Sequence, residues 1–354
     1  MPCDTWERHN LSSRILPLAL AALMAVSAVV VVAACEDRAA PPSPAACTDG
    51  RTLDFAFYAF FEPVSFSADA DPGSSGFHEH AGYEADLLTA LEAMDGAGLR
   101  FNRIPIAEWP GIWLLPSTPG FDIAGGGITI LDTRTRDSDG NHVVNFTSGH
   151  ISFQQSLLVR ATDAERYATH DGLTSGSRVG AISDTTGEAR LLQLTGLVNP
   201  EGLLADGTRI VSGSGTLTAD GTDAYFITAA GSSANLEGRE RLLPPSPNMP
   251  EVVYFKAETE MIEFLADGSI DAVARGAVGN TEVAYSYGGG GVLAVTALDP
   301  AVEHGGWTLS TTETALTACL NDKVDYLTNG GAIGYSEWRA EPEAFLKRAR
   351  AWRS

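Results

Sequence analysis

Short apolar runs of strand length and apolar stripes of helical period alternate along most of this chain. Residues 53–61 (LDFAFYAFF) form a continuous apolar and aromatic run, stopped by Glu62-Pro63, and predict a buried strand. After a loop rich in Gly, Ser, Asp and Pro, residues 82–86 open a helix whose apolar positions Leu87, Leu88, Leu91 and Met94 share one face. Glu84 and Asp86 suit the first turn of that helix, where its dipole favours acids. Residues 99–106 alternate and predict a second strand, residues 109–115 a short helical piece, and residues 121–130 a third strand. Strand, helix, strand, helix, strand is the rhythm of a parallel sheet with covering helices.

The rhythm starts again in the second half. Residues 145–160 alternate and then run apolar, and residues 178–182 predict a strand followed by a turn into a helix over 189–194. Residues 261–265 predict a helix and 270–274 a strand. Residues 307–310 then predict a strand, 314–327 a helix and 342–352 a last helix. Residues 205–250 break the pattern. They are rich in Gly, Ser, Thr and Asp with short alternating stretches, and they predict an inserted β-hairpin or two, closed by the PPSPNMP spacer.

The N-terminal 34 residues read as an address: Arg8 and Arg14 precede a long apolar run that ends in small residues before Cys35. The run is long enough for a membrane span, but a cysteine after small residues resembles the lipobox of bacterial lipoproteins. That resemblance implies lipidation at Cys35, a tether over 35–50, and a body held outside the cytoplasm. An uncleaved signal anchor is the alternative. Of the remaining cysteines, Cys47 and Cys319 can form a disulfide in an oxidising compartment or stay as two separate thiols.

The formal net charge is −22, and the leader's two acids and two bases leave it with the body. A uniformly acidic body excludes a nucleic-acid partner, which needs a basic face. It does not exclude an anionic ligand, because one arginine in a shielded cleft outweighs distant, screened acids.

The stretch 121–134 (FDIAGGGITILDTR) holds the most chemistry. An apolar strand ends in glycines, continues through Ile128-Thr129-Ile130, and reaches a lone Arg134. It can place bare backbone N–H groups, a hydroxyl and a guanidinium on one small anion, and Arg134 can donate two parallel hydrogen bonds to a carboxylate. A core strand with an arginine in a surface ion pair reads equally well from these residues alone.

Ordered segments then carry a resemblance. Phe61-Glu62-Pro63 with Phe66, GYEADLL at 82–88, Trp109, FDIAGGGITI with Arg134, NFTS at 145–148, TTGE at 185–188 and GSIDA at 268–272 follow one another as in a known family. The chain resembles extracytoplasmic solute-binding proteins of the polar-amino-acid ABC-importer type, in lipoprotein form. The resemblance implies an α/β fold of two lobes, the type II periplasmic-binding-protein fold, with parallel-dominated sheets and two crossing hinge strands. Lobe one would hold 51–158 and 296–354, and lobe two 159–295.

The same resemblance implies a small carboxylate ligand, an ABC permease as partner, membrane attachment through the lipid, and no cofactor. Its site would comprise Gly127, Ile128, Thr129 and Arg134 from lobe one, and Thr185 and Thr186 from a helix start in lobe two. Tyr58, Phe61 and Trp109 would form the wall, although Tyr58, Phe60 and Phe61 cannot all face the cleft.

One position departs from the family. Where many amino-acid receptors carry an acid for the ligand's ammonium, this chain has Gly276 beside Arg275. Either Glu282 or Glu62 substitutes, or the ligand lacks an ammonium and Arg275 meets a second carboxylate. The fold resemblance extends to cyclohexadienyl and arogenate dehydratases, for which Glu282 would be the acid. Reuse as a sensor's binding module is a third reading. His78-Glu79-His80 lacks further ligands for a metal and reads as solvated loop.

Overall fold

The computed structural model describes residues 46–353. The leader, the lipidation at Cys35 and most of the tether expected over 35–50 lie outside the described residues. Two sheets organise the body. In the first, Leu53–Tyr58 lies between Phe101–Ile106 and Ile123–Gly125 and runs parallel to both. The helix Tyr83–Ala93 makes the crossover that parallel pairing requires. Thr308–Ser310 and Val144–Phe146 add on antiparallel.

The second sheet has eight strands. Its parallel centre is Arg178–Ala181 between Glu251–Tyr254 and Ala272–Gly276, with helices Thr186–Leu194 and Glu258–Ala266 as crossovers. Gln155–Arg160 and Leu293–Thr296 flank that centre antiparallel on one side. On the other side lie Arg239–Leu243, Arg209–Ser212 and Gly215–Thr218. Both sheets are therefore mixed, each with a parallel core, rather than dominated by parallel pairs. The insertion's hairpins use short connections, which antiparallel pairing allows, whereas the return strands pair antiparallel with partners far away in sequence.

The crossings between sheets are Ile151–Phe153 and Glu303–Gly305, paired antiparallel. Gln155–Arg160 and Leu293–Thr296 already belong to the second sheet, so the passage falls before 158 and after 296 rather than at those positions. The insertion over 205–250 contains two hairpins, one at the sheet edge and a second formed by Ile227–Thr228 and Gly231–Ser232.

The third predicted strand is much shorter than its apolar pattern. It ends at Gly125, because Gly126 (φ 130°) and Gly127 (φ 71°) turn the chain in a region that side chains avoid. A Cβ on Gly126 would stand 2.5 Å from Tyr58 Cβ, and one on Gly127 2.6 Å from the Phe61 ring. Glu84 is not a surface acid at a helix start. It is fully buried, and its carboxylate accepts the N–H groups of Gly126 (2.7 Å) and Gly127 (2.9 Å), with His150 Nε2 at 3.0 Å.

Cys47 and Cys319 are joined as a disulfide with Cα atoms 5.6 Å apart, linking the start of the body to the helix Thr314–Leu327. His80 is not solvated loop: it stacks on Phe57 with ring centres 4.0 Å apart, and its Nε2 lies 2.9 Å from Ser65 Oγ. Among the described residues no three His, Cys, Asp or Glu side chains could hold a metal ion. No helix among them is long and apolar enough to cross a membrane.

Candidate functional site

The two lobes meet over a small cavity with about 60 Å³ of space open to water centres. A single water needs roughly 10–15 Å³ by that measure, so the cavity has room for a few. Its first-lobe wall is Tyr58, Phe61, Trp109, Gly127 and Thr129. Its second-lobe wall includes Gln155, Thr185, Thr186, Glu258, Arg275 and Gly276. Tyr58 and Phe61 both reach it because the chain bends after Tyr58, whereas Phe60 packs edge-on against Tyr58 outside the lining.

The sequence placed threonines in both lobes, and the structure brings them together. Thr129 Oγ1 and Thr186 Oγ1 are 3.4 Å apart, and Gln155 Nε2 donates to Thr186 Oγ1 at 2.9 Å. Thr186 begins its helix three residues earlier than the apolar period implied. Thr185 is the cap, its hydroxyl accepting Glu188 N–H at 3.0 Å.

Arg134 is not a bare fork facing the cavity. It is fully buried, and three of its five donors go to backbone carbonyls: Nε to Ala229 at 3.0 Å, one terminal nitrogen to Thr129 at 3.3 Å, the other to Asp184 at 3.1 Å. Trp109 and Trp113 cover the guanidinium at 5.4 and 4.6 Å. The reason is the approach of the second lobe. Asp184 adopts φ 62°, and its carbonyl accepts both Arg134 and Trp109 Nε1. The insertion contributes the Ala229 carbonyl. Burial pushes the Arg134 pKa down to about 10, against the opposing charges of Glu303 and Asp184, so the group stays cationic at neutral pH. Ile128 is likewise fully buried and outside the lining.

Arg275 lines the cavity but is not free for a second carboxylate. It pairs with Glu258, donates to the Glu62 carbonyl at 3.1 Å, and sits 5.5 Å from the Phe61 ring centre. Glu258 is the acid of this cavity. Burial lifts its pKa to about 7 despite the neighbouring Arg275 charge. Neither proposed substitute takes that place: Glu282 pairs with Arg339 at 3.0 Å, outside the lining, and Glu62 offers Arg275 its backbone carbonyl.

Three polar groups went unread in the sequence. Gln155 interrupts an apolar strand (ISFQQSLLV), which was the available signal. Glu258 precedes the first apolar position of its helix, and reading that helix from its first turn would have found it. Glu303 had no local signal. Its Oε2 accepts from Thr129 Oγ1 and Gln155 Nε2, both at 3.0 Å. Three polar atoms of lining residues have no partner: Tyr58 Oη, Gln155 Oε1 and Arg275 Nε.

A hinged two-lobe α/β scaffold with polar groups converging on a cleft between the lobes defines the periplasmic-binding-protein fold. No protein-family model matches the chain. A probable histidine-binding protein of Neisseria gonorrhoeae is 25% identical over 182 residues, 51% of this chain and 61% of that protein, so less than two thirds of the relative is spanned. The arginine-, lysine-, histidine-binding protein ArtJ of Geobacillus stearothermophilus matches in structure with TM-score 0.54 and 18% identity, over 83% of this chain and 99% of that one. A Streptococcus pneumoniae ABC uptake substrate-binding protein solved with bound histidine gives 0.53 and 17%, over 85% and 92%. An ancestral amino acid-binding protein, a precursor of cyclohexadienyl dehydratase, gives 0.53 and 17%, over 85% and 95%. The fold read from the sequence is borne out, and these relatives carry the names of binding proteins rather than enzymes.

Proposed function

We propose that this chain is a receptor for a small amino acid or related carboxylate, captured between closing lobes and passed to an ABC permease. The observation that carries it is the meeting of Thr129 and Gln155, donors from the two lobes, on one carboxylate, with Thr186 Oγ1 accepting from Gln155 and lying 3.4 Å from Thr129 Oγ1, beside the Arg134 charge. Donors split between lobes link binding to closure, because the closed form makes contacts that the open form lacks. Thr129 and Thr186 take the ligand's carboxylate, with the N–H groups at the Thr186 helix start facing the same cleft. Arg134 holds Thr129 and Asp184 in place and supplies positive potential from behind. Glu258 faces the ligand's ammonium, and Tyr58, Phe61 and Trp109 enclose its body. The leader pattern supports an extracytoplasmic body anchored through Cys35.

A thermal-shift screen of the folded body against L-amino acids and small dicarboxylates tests this reading, because a ligand of the native state raises Tm. Saturable shifts with L-histidine, L-arginine or another amino acid are expected. No shift from any amino acid or small carboxylate would overturn it.

A further inference from the structure

Glu303 opens one of the two hinge strands, where it pairs across from Phe153, itself part of the cavity wall. Its carboxylate rests on a hydroxyl from the first lobe and an amide from the second, Thr129 Oγ1 and Gln155 Nε2, both at 3.0 Å. These partners are neutral donors, and the positive charge it feels comes from Arg134, which holds the Thr129 carbonyl. A ligand carboxylate bound at Thr129 and Gln155, beside Thr186, would need this same environment. The chain thus places one of its own carboxylates there.

We propose that Glu303 is a tethered competitor: its side chain fills the carboxylate station while the cleft has no ligand, and swings aside when an external carboxylate takes Thr129 and Gln155. The proposal rests on the receptor reading of this cleft and adds a built-in threshold to it. A tethered group competes at an effective concentration of roughly millimolar or above, so only ligands with further contacts displace it. Because Glu303 starts a hinge strand, its release also frees a point at which the two lobes are joined.

Chemical rescue tests this without knowledge of the natural ligand. Melting temperatures are recorded for the wild type, Glu303→Ala and the near-isosteric Glu303→Gln, during titration with sodium acetate against sodium chloride at equal ionic strength. Glu303→Ala should show a saturable acetate-specific rise in Tm, Glu303→Gln a weaker one, and the wild type none. Any amino acid that shifts the wild type should bind Glu303→Ala about tenfold more tightly. If neither variant responds to acetate, or the wild type responds as strongly, the tethered competitor is overturned. Acetate rescue without amino-acid binding by any of the three proteins would sink the receptor reading and leave the Glu303 station standing.

Discussion

Thr129 and Thr186 belong to opposite lobes, yet their hydroxyl oxygens stand 3.4 Å apart. Neither lobe alone forms this pair, so on the proposed receptor reading both hydroxyls should report on closure and on the ligand. Replacing either by the near-isosteric valine removes both polar contacts of its hydroxyl and leaves volume nearly unchanged. Each variant should weaken amino-acid binding about tenfold, about 1.4 kcal/mol, in isothermal titration.

Arg134 should prove structural as well as functional. Arg134→Ala leaves the carbonyls of Thr129 and Ala229 without their donor, leaves that of Asp184 with Trp109 Nε1 alone, and empties the space beside two indoles. Urea unfolding should show a loss of about 3 kcal/mol or more, together with loss of ligand binding. Arg134→Lys should recover little, because one ammonium cannot span three divergent carbonyls.

Glu258 makes stability depend on pH. Its pKa is lifted from 4.5 to about 7 in the folded protein, chiefly by burial. The folded state thus holds the proton more tightly than the unfolded chain. The stabilising contribution is present in full below about 4.5 and is lost as pH rises through about 7. Melting curves across that range should fall with pH in the wild type, and Glu258→Gln should flatten this segment.

The Cys47–Cys319 bond closes a separation of 272 residues in sequence. Its reduction, or the Cys47→Ser/Cys319→Ser double variant, should cost about 2–5 kcal/mol of unfolding free energy. Ligand affinity should change little, since both cysteines lie away from the cleft.

The strand–helix rhythm was legible in the sequence, because buried strands and amphipathic helices imprint periods that do not depend on partners, and the two-lobed scaffold was legible through the resemblance to solute-binding proteins. The sequence also disclosed Thr129, Thr186, Tyr58, Phe61 and Trp109, all of which line or meet the cleft. What stayed hidden was pairing at long range. The partners of Arg134 are carbonyls, which every residue carries, so no side-chain pattern announces them. Glu84 looked like an ordinary first-turn acid, yet the Gly126 and Gly127 N–H groups claim its carboxylate from forty-odd residues downstream. Glu303 lies still further along the chain from Thr129, and only the hinge pairing brings it close.

The position of the disulfide has a mechanical result. Both of its ends belong to the first lobe, where Cys47 N–H bonds the Ala97 carbonyl and Cys319 rides on a helix packed against Tyr83–Ala93. A pull on the N-terminal end of the body therefore enters through that half, at the Cys319 helix and at Ala97. The disulfide places no bond on the second half, which is held to the first by the hinge strands and the contacts across the cleft.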